Sequence, residues 1–165
     1  MHMMINKLVT QGFMTESQGE YIQNALDRKE SIIVSGHRSA GTRPLMASLM
    51  AVAKSSYSSV QVKGFDDLEK DGEYLLIAGI PGLDFEKLIG EAMAKENTSL
   101  VSIKEPEHPY SIMKILRNNF KLNNDTSKVY QVLECDKFDD VPKLTKITQM
   151  KLNEKGRLVK EDFEN

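Results

Sequence analysis

The chain has 165 residues, 40% of them hydrophobic, enough for one domain around a single core. Its 22 Lys and Arg are scattered among 24 Asp and Glu for a net charge of −2, so the basic stripe that nucleic-acid binding needs is missing. Cys135 is the only cysteine, which excludes an intrachain disulfide, and with neither a secretory signal nor a membrane-length apolar run the sequence reads as cytoplasmic, without direct membrane insertion.

Residues 1–165 read as a single domain, with MHMM resembling a vector-derived or alternative start and residues 1–6 set aside as a tag or flexible start. After a lead-in over Lys7–Phe13, Thr15 is a good N-cap, and Tyr21, Ile22, Ala25 and Leu26 place apolar groups on one helical face up to Arg28. Ser31–Ser35 is a β-branched run too apolar to alternate, as expected of a central strand covered on both faces. Pro44 suits the first turn of a helix that continues through Leu45, Met46, Leu49, Met50 and Val52 to Lys54.

Ser59–Lys63 alternates like a strand, and Glu73–Ala78 reads as a buried one beyond a turn-rich connection. Asp84–Lys95 is helical by pattern, Thr98–Ile103 is a strand, and Tyr110–Phe120 is a helix. This alternation implies crossovers and a mainly parallel sheet with helices on both faces. Lys128–Cys135 and Lys143–Lys151 then read as an antiparallel hairpin joined by the polar DKFDDVP, and the tail NEKGRL carries one more turn.

The stretch SIIVSGHRSAGTR follows a strand with two glycines five positions apart, Gly36 and Gly41, and opens a helix. With LVTQGFMTESQGEYIQNALDRKESIIVSG before and through it, EYLLIAGIPGLDFEKLIGEAMAKENTSLVSI next, and YSIMKILRNNF, KVYQVLEC and KLTKITQM last, the chain from about Leu8 onward resembles the C-terminal motor domain of the secretion ATPases. These are the RecA-like machines of type II and type IV secretion, conjugation and pilus assembly. The resemblance implies an α/β, three-layer RecA-like P-loop NTPase fold with a mainly parallel sheet and a C-terminal antiparallel hairpin.

The catalytic side chains of that family are replaced. A phosphate loop surrounds phosphates with backbone N–H groups, reaches the terminal pair with a lysine and holds magnesium with a hydroxyl. Here Thr42 stands at the lysine position and Arg43 at the hydroxyl position, while His37 and Ser39 replace small glycines. The family's Gly-Glu-x-Arg turn falls on Ala78, Gly79, Ile80 and Pro81, and its Thr-x-His box on Ser102, Ile103 and Lys104. The resemblance places the family's acidic box near Lys63 to Asp67, with Asp66 and Asp67 as its candidate remnants and no metal assigned. Without lysine, metal hydroxyl and glutamate, little remains to stabilise a phosphoryl-transfer transition state.

The expectation is a pseudo-ATPase with no catalytic residues, no metal and no required cofactor, acting on protein partners: an active secretion-type ATPase, or itself. The alternative is a nucleotide- or phosphate-binding protein whose ligand loop is Gly36, Arg38, Ser39, Gly41, Thr42 and Arg43, with the arginines in place of lysine. His37 reads as a surface residue and His108 as a loop residue. Cys135 reads as a small core residue, the acids at Asp139 and Asp140 as turn formers, and Met46, Met50, Met93 and Met113 as core packing. An enzyme of unfamiliar mechanism is a third class, for which no nucleophile triad or zinc spacing is legible.

Overall fold

The computed structural model describes residues 1–164. Helices α1 (Met3–Thr10) and α2 (Glu16–Asp27) lead into β1 (Ser31–Ser35) and α3 (Thr42–Ser56). Then follow β2 (Ser59–Gln61), β3 (Tyr74–Ile77), α4 (Phe85–Ala94), β4 (Ser99–Lys104) and α5 (Ile112–Asn123), and three last strands, β5 (Val129–Phe138), β6 (Val141–Leu152) and β7 (Leu158–Asp162). Local chemistry sets many of these boundaries. At α2, Thr15 Oγ1 accepts from the Gln18 amide at 3.1 Å and Gln18 Oε1 accepts from the Thr15 amide at 2.9 Å, a reciprocal cap. Asp84 and Ser111 cap α4 and α5 in the same sense, each accepting from an amide three residues on.

One seven-stranded sheet runs in the order β2-β3-β4-β1-β5-β6-β7. The first five strands of that order are parallel; β6 is added antiparallel to β5, and β7 antiparallel to β6. Crossovers between parallel strands are right-handed. The β1-to-β2 connection travels toward one edge and carries α3, while the β3-to-β4 and β4-to-β5 connections travel back and carry α4 and α5. Thus α3 lies on one face, joined by α1 and α2, and α4 and α5 pack together on the other. Ile32, Ile33 and Val34 of β1 are wholly buried between the layers, as the uninterrupted apolar run anticipates.

Three expectations change. Residues 1–6, set aside as a tag or flexible start, contribute to the fold: α1 begins at Met3, and Ile5 is completely buried against α2 and α3. The connection DKFDDVP shrinks to the two-residue turn Asp139-Asp140, because β5 and β6 stay paired out to Phe138 and Val141. Both aspartates take positive φ, 51° and 64°, the conformation that a tight hairpin turn requires. Finally, the C-terminal hairpin is a three-stranded antiparallel extension, since the Asn153–Gly156 turn returns the chain as β7 along β6. That strand escaped the sequence reading because its five residues show no apolar alternation; four are exposed.

The sheet order fixes where a site would form. Chain leaves β1 for one face and β4 for the other, and these two strands are neighbours. The crevice beyond their carboxyl ends is a topological switch point, where open α/β sheets bind ligands.

Candidate functional site

The residues at that crevice are the loop singled out from sequence and the segment following β4. Leaving β1, the chain passes through Gly36, makes a short 3-10 turn over Arg38–Ala40, and enters α3 after Gly41. Gly36 has φ of 140° and a Cβ there would lie 2.5 Å from the Cys135 carbonyl oxygen, so only glycine allows β5 to approach this closely. Gly41 has φ of 89° and serves as the N-cap of α3.

Several loop amides are already bonded inside the protein. Gly36 N–H donates to the Lys104 carbonyl at 3.1 Å and Ala40 N–H to the His37 carbonyl at 2.8 Å. The Ser39 amide donates to His37 Nδ1 at 3.1 Å, and the Ser39 hydroxyl lies 2.8 Å from the same nitrogen. A Cβ built on Gly41 would come within 2.7 Å of the Phe13 ring and 3.2 Å of Pro142 Cβ. Phe13 precedes α2 and Pro142 belongs to β6, so side chains from two other elements lie against the loop where a phosphate loop leaves room.

At the start of α3 the two substituted positions converge on one carboxylate. Thr42, wholly buried, donates its hydroxyl to Glu105 Oε2 at 3.0 Å. Arg43 clasps the same group with both arms, Nε to Oε2 at 3.2 Å and Nη2 to Oε1 at 2.9 Å. The Glu105 side chain has no exposed surface, whereas that of Arg43 is 47% exposed. Burial raises the Glu105 carboxyl, but the hydrogen bonds from Arg43 and Thr42 and the guanidinium charge outweigh it and hold the group below its ordinary range. The same carboxylate raises the Arg43 guanidinium. An anion is therefore present at the helix terminus in the form of the protein's own glutamate.

The other positions compared with the resembled family are also engaged inside the protein. Gly79, at the glutamate position of the Gly-Glu-x-Arg turn, lies under His108: a Cβ there would sit 2.5 Å from the imidazole Cδ2 and Nε2. His108 is held by its backbone N–H, which donates a hydrogen bond to the Glu105 carbonyl at 2.9 Å, and by the Phe85 ring, whose centroid is 5.0 Å away. Ser102 is wholly buried and bonded to Tyr110. Asp67 accepts from the Lys63 amide at 2.8 Å and pairs with Lys70 at 2.8 Å, so it serves its own turn.

Of the six loop residues read from sequence, Thr42 and Arg43 meet at Glu105, and Ser39 turns back onto His37. Gly36 and Gly41 are backbone hinges. Arg38 is exposed and its side chain makes no hydrogen bond or ion pair among the described residues. Sequence reasoning passed over Glu105, which stands one position beyond Lys104 in KEPEHP. Its role follows from β4 lying in register beside β1, Lys104 opposite Ser35, which delivers the residue after each strand to the same crevice. No family model matches the chain, and no curated protein does either.

Proposed function

We propose that this chain is a catalytically inactive relative of the secretion ATPase motor domains, with a RecA-like three-layer architecture, serving as a structural or regulatory protein-interaction module. One observation carries the reading: the buried Glu105 carboxylate is chelated by Thr42 and Arg43, the residues at the lysine and magnesium-hydroxyl positions of the loop. A triphosphate entering there would meet a fixed negative charge and would have to break a bidentate ion pair. The sheet order adds support, since β4 separates the loop strand β1 from β3, unlike the 3-2-1-4-5-6 order of dinucleotide-binding folds. Packing of His108 on Gly79 leaves no room for a water-activating carboxylate at that turn.

The partner in this reading is a protein: an active ATPase of the resembled family, or another copy of this chain. The chain would act in the cytoplasm; no helix among the described residues is long and apolar enough to cross a membrane. A second reading, anion binding by the loop, is supported by Arg38, whose side chain has no partner among the described residues. The test is ATP turnover with magnesium, measured on the full chain and on Gly41→Val. The proposal predicts background phosphate release from both; magnesium-dependent turnover lost in the variant would overturn it.

A further inference from the structure

The sheet ends at β7, which pairs with β6 along one edge and with no strand along the other. Two backbone bonds beside it fix the phase of that pairing. Phe163 N–H donates to the Ile147 carbonyl at 2.9 Å, and Asn153 N–H donates to the Arg157 carbonyl at 2.8 Å. Backbone groups alternate in direction along a strand, so Arg157, Val159, Glu161 and Phe163 turn theirs toward β6. Leu158, Lys160 and Asp162 turn theirs outward, where no strand or side chain bonds them among the described residues.

Side chains alternate as well. Phe163 stacks on Tyr21 of α2 with ring centroids 4.3 Å apart, which puts Arg157, Val159 and Glu161 on the same face of the sheet as α2. Val159 is 37% exposed, and the side chains of Arg157 and Glu161 are exposed with no hydrogen bond or ion pair among the described residues. A charged edge ordinarily keeps sheets from joining. The charges of this one complement themselves.

A closed pair of identical edge strands forms about a two-fold axis normal to the sheet, with the strands antiparallel. The axis keeps each face continuous, so every residue is opposed by one of its own parity, and the residue on the axis names the register. Lys160, Glu161 or Asp162 on the axis would set like charges against each other, which is destabilising. Leu158 on the axis leaves too short a pairing, because Gly156, at φ 76°, already belongs to the turn. Val159 on the axis meets itself, and Arg157 of each copy then lies opposite Glu161 of the other. In that register Leu158 and Lys160 of one copy exchange N–H···O bonds with Lys160 and Leu158 of the second, and each lysine stem covers a half-buried leucine.

We infer that this chain associates with a second copy of itself through β7, antiparallel about a two-fold axis at Val159, so that two sheets become one. The inference rests on the protein-interaction reading above and names the partner and the surface. Because the joined segment is short and ion pairs flank its centre, the dimer is reversible and weakens with salt.

The experiment is disulfide capture on the full chain under mild oxidation, read on non-reducing gels. Residues opposed at a non-hydrogen-bonded antiparallel position have Cα atoms ~4.5 Å apart, within the reach of a disulfide. Val159→Cys should therefore give a covalent dimer at least tenfold faster than Glu161→Cys or the distant Phe138→Cys. The parent chain should give none, since Cys135 is buried and its thiol is pushed up to about 12. Adding Glu161→Arg to Val159→Cys should slow capture tenfold or more by facing Arg157 with its like, and adding Arg157→Glu as well should restore it. Both side chains are without partners, so these variants should melt with the parent. Sedimentation of the parent should show dimer growing with concentration and receding with salt. Capture no faster at Val159 than at the control positions, no restoration by the charge exchange, or a parent that stays monomeric at every concentration would overturn the inference. Phosphate release from ATP, measured on the same samples, reports on the non-catalytic reading separately.

Discussion

Replacing Arg43 with alanine isolates the interaction at the centre of the loop. The substitution removes both hydrogen bonds that the guanidinium gives Glu105 and leaves a fully buried carboxylate with Thr42 alone. Losing the partner of a buried charge costs ~3–5 kcal/mol. Because Arg43 is itself half exposed and partly screened, the lower end applies, about 3 kcal/mol at pH 7. For a domain of this size that is a fall in Tm of roughly 6–12 °C.

The pH dependence supplies the sharper test. In the parent chain the Glu105 carboxyl is depressed below its ordinary 4.5, so its contribution is full above that value and is lost only as pH falls through the depressed one. In Arg43→Ala burial prevails and the carboxyl moves up, so mild acid protonates it and relieves the buried charge. Urea unfolding at pH 7 and again near pH 5 should therefore show the gap between variant and parent narrowing with acid. A loss below ~1 kcal/mol at pH 7, or one unchanged by pH, would refute the assignment of Glu105 as a buried anion neutralised by Arg43.

Gly36→Ala should destabilise by ~1–3 kcal/mol through positive φ and collision with the Cys135 carbonyl, read as a lower urea midpoint with unchanged slope. Lys128, which caps the end of α4 by donating to the Met93 and Lys95 carbonyls, is pushed down to about 8 by burial. Its folded value lies below the unfolded one, so the unfolded chain binds the extra proton and stability should rise between pH 8 and 9.5, a slope that Lys128→Met removes. Tyr130→Phe should leave stability equal or raise it by up to ~1 kcal/mol, because the Tyr130 hydroxyl is buried without a partner among the described residues.

What could be read in advance follows the range of the interaction responsible. The Thr15 cap, the apolar run Ser31–Ser35 and the helix entered near Pro44 are written in neighbouring residues, and their boundaries fell within a few positions. Both glycines of the loop were legible through their motif spacing after a strand, and both have positive φ. β7 was not, because an exposed strand that borrows its conformation from β6 needs no pattern of its own. Glu105 was hidden differently: its neighbours in sequence are Pro106 and Glu107, while its ligands lie 62 and 63 positions away. Only the side-by-side placement of β1 and β4 joins them. Likewise Phe13 and Pro142 meet over Gly41 through tertiary packing, which nothing in either local sequence announces.

Calorimetric titration of the folded chain with Mg-ATP tests the occupied-loop account most directly. With Glu105 holding Thr42 and Arg43, and Phe13 and Pro142 against Gly41, millimolar nucleotide should produce no saturable heat and no rise in Tm. Saturable, magnesium-dependent binding that is lost on Arg43→Ala would contradict it, because it would mean that the arginine releases its glutamate for a phosphate.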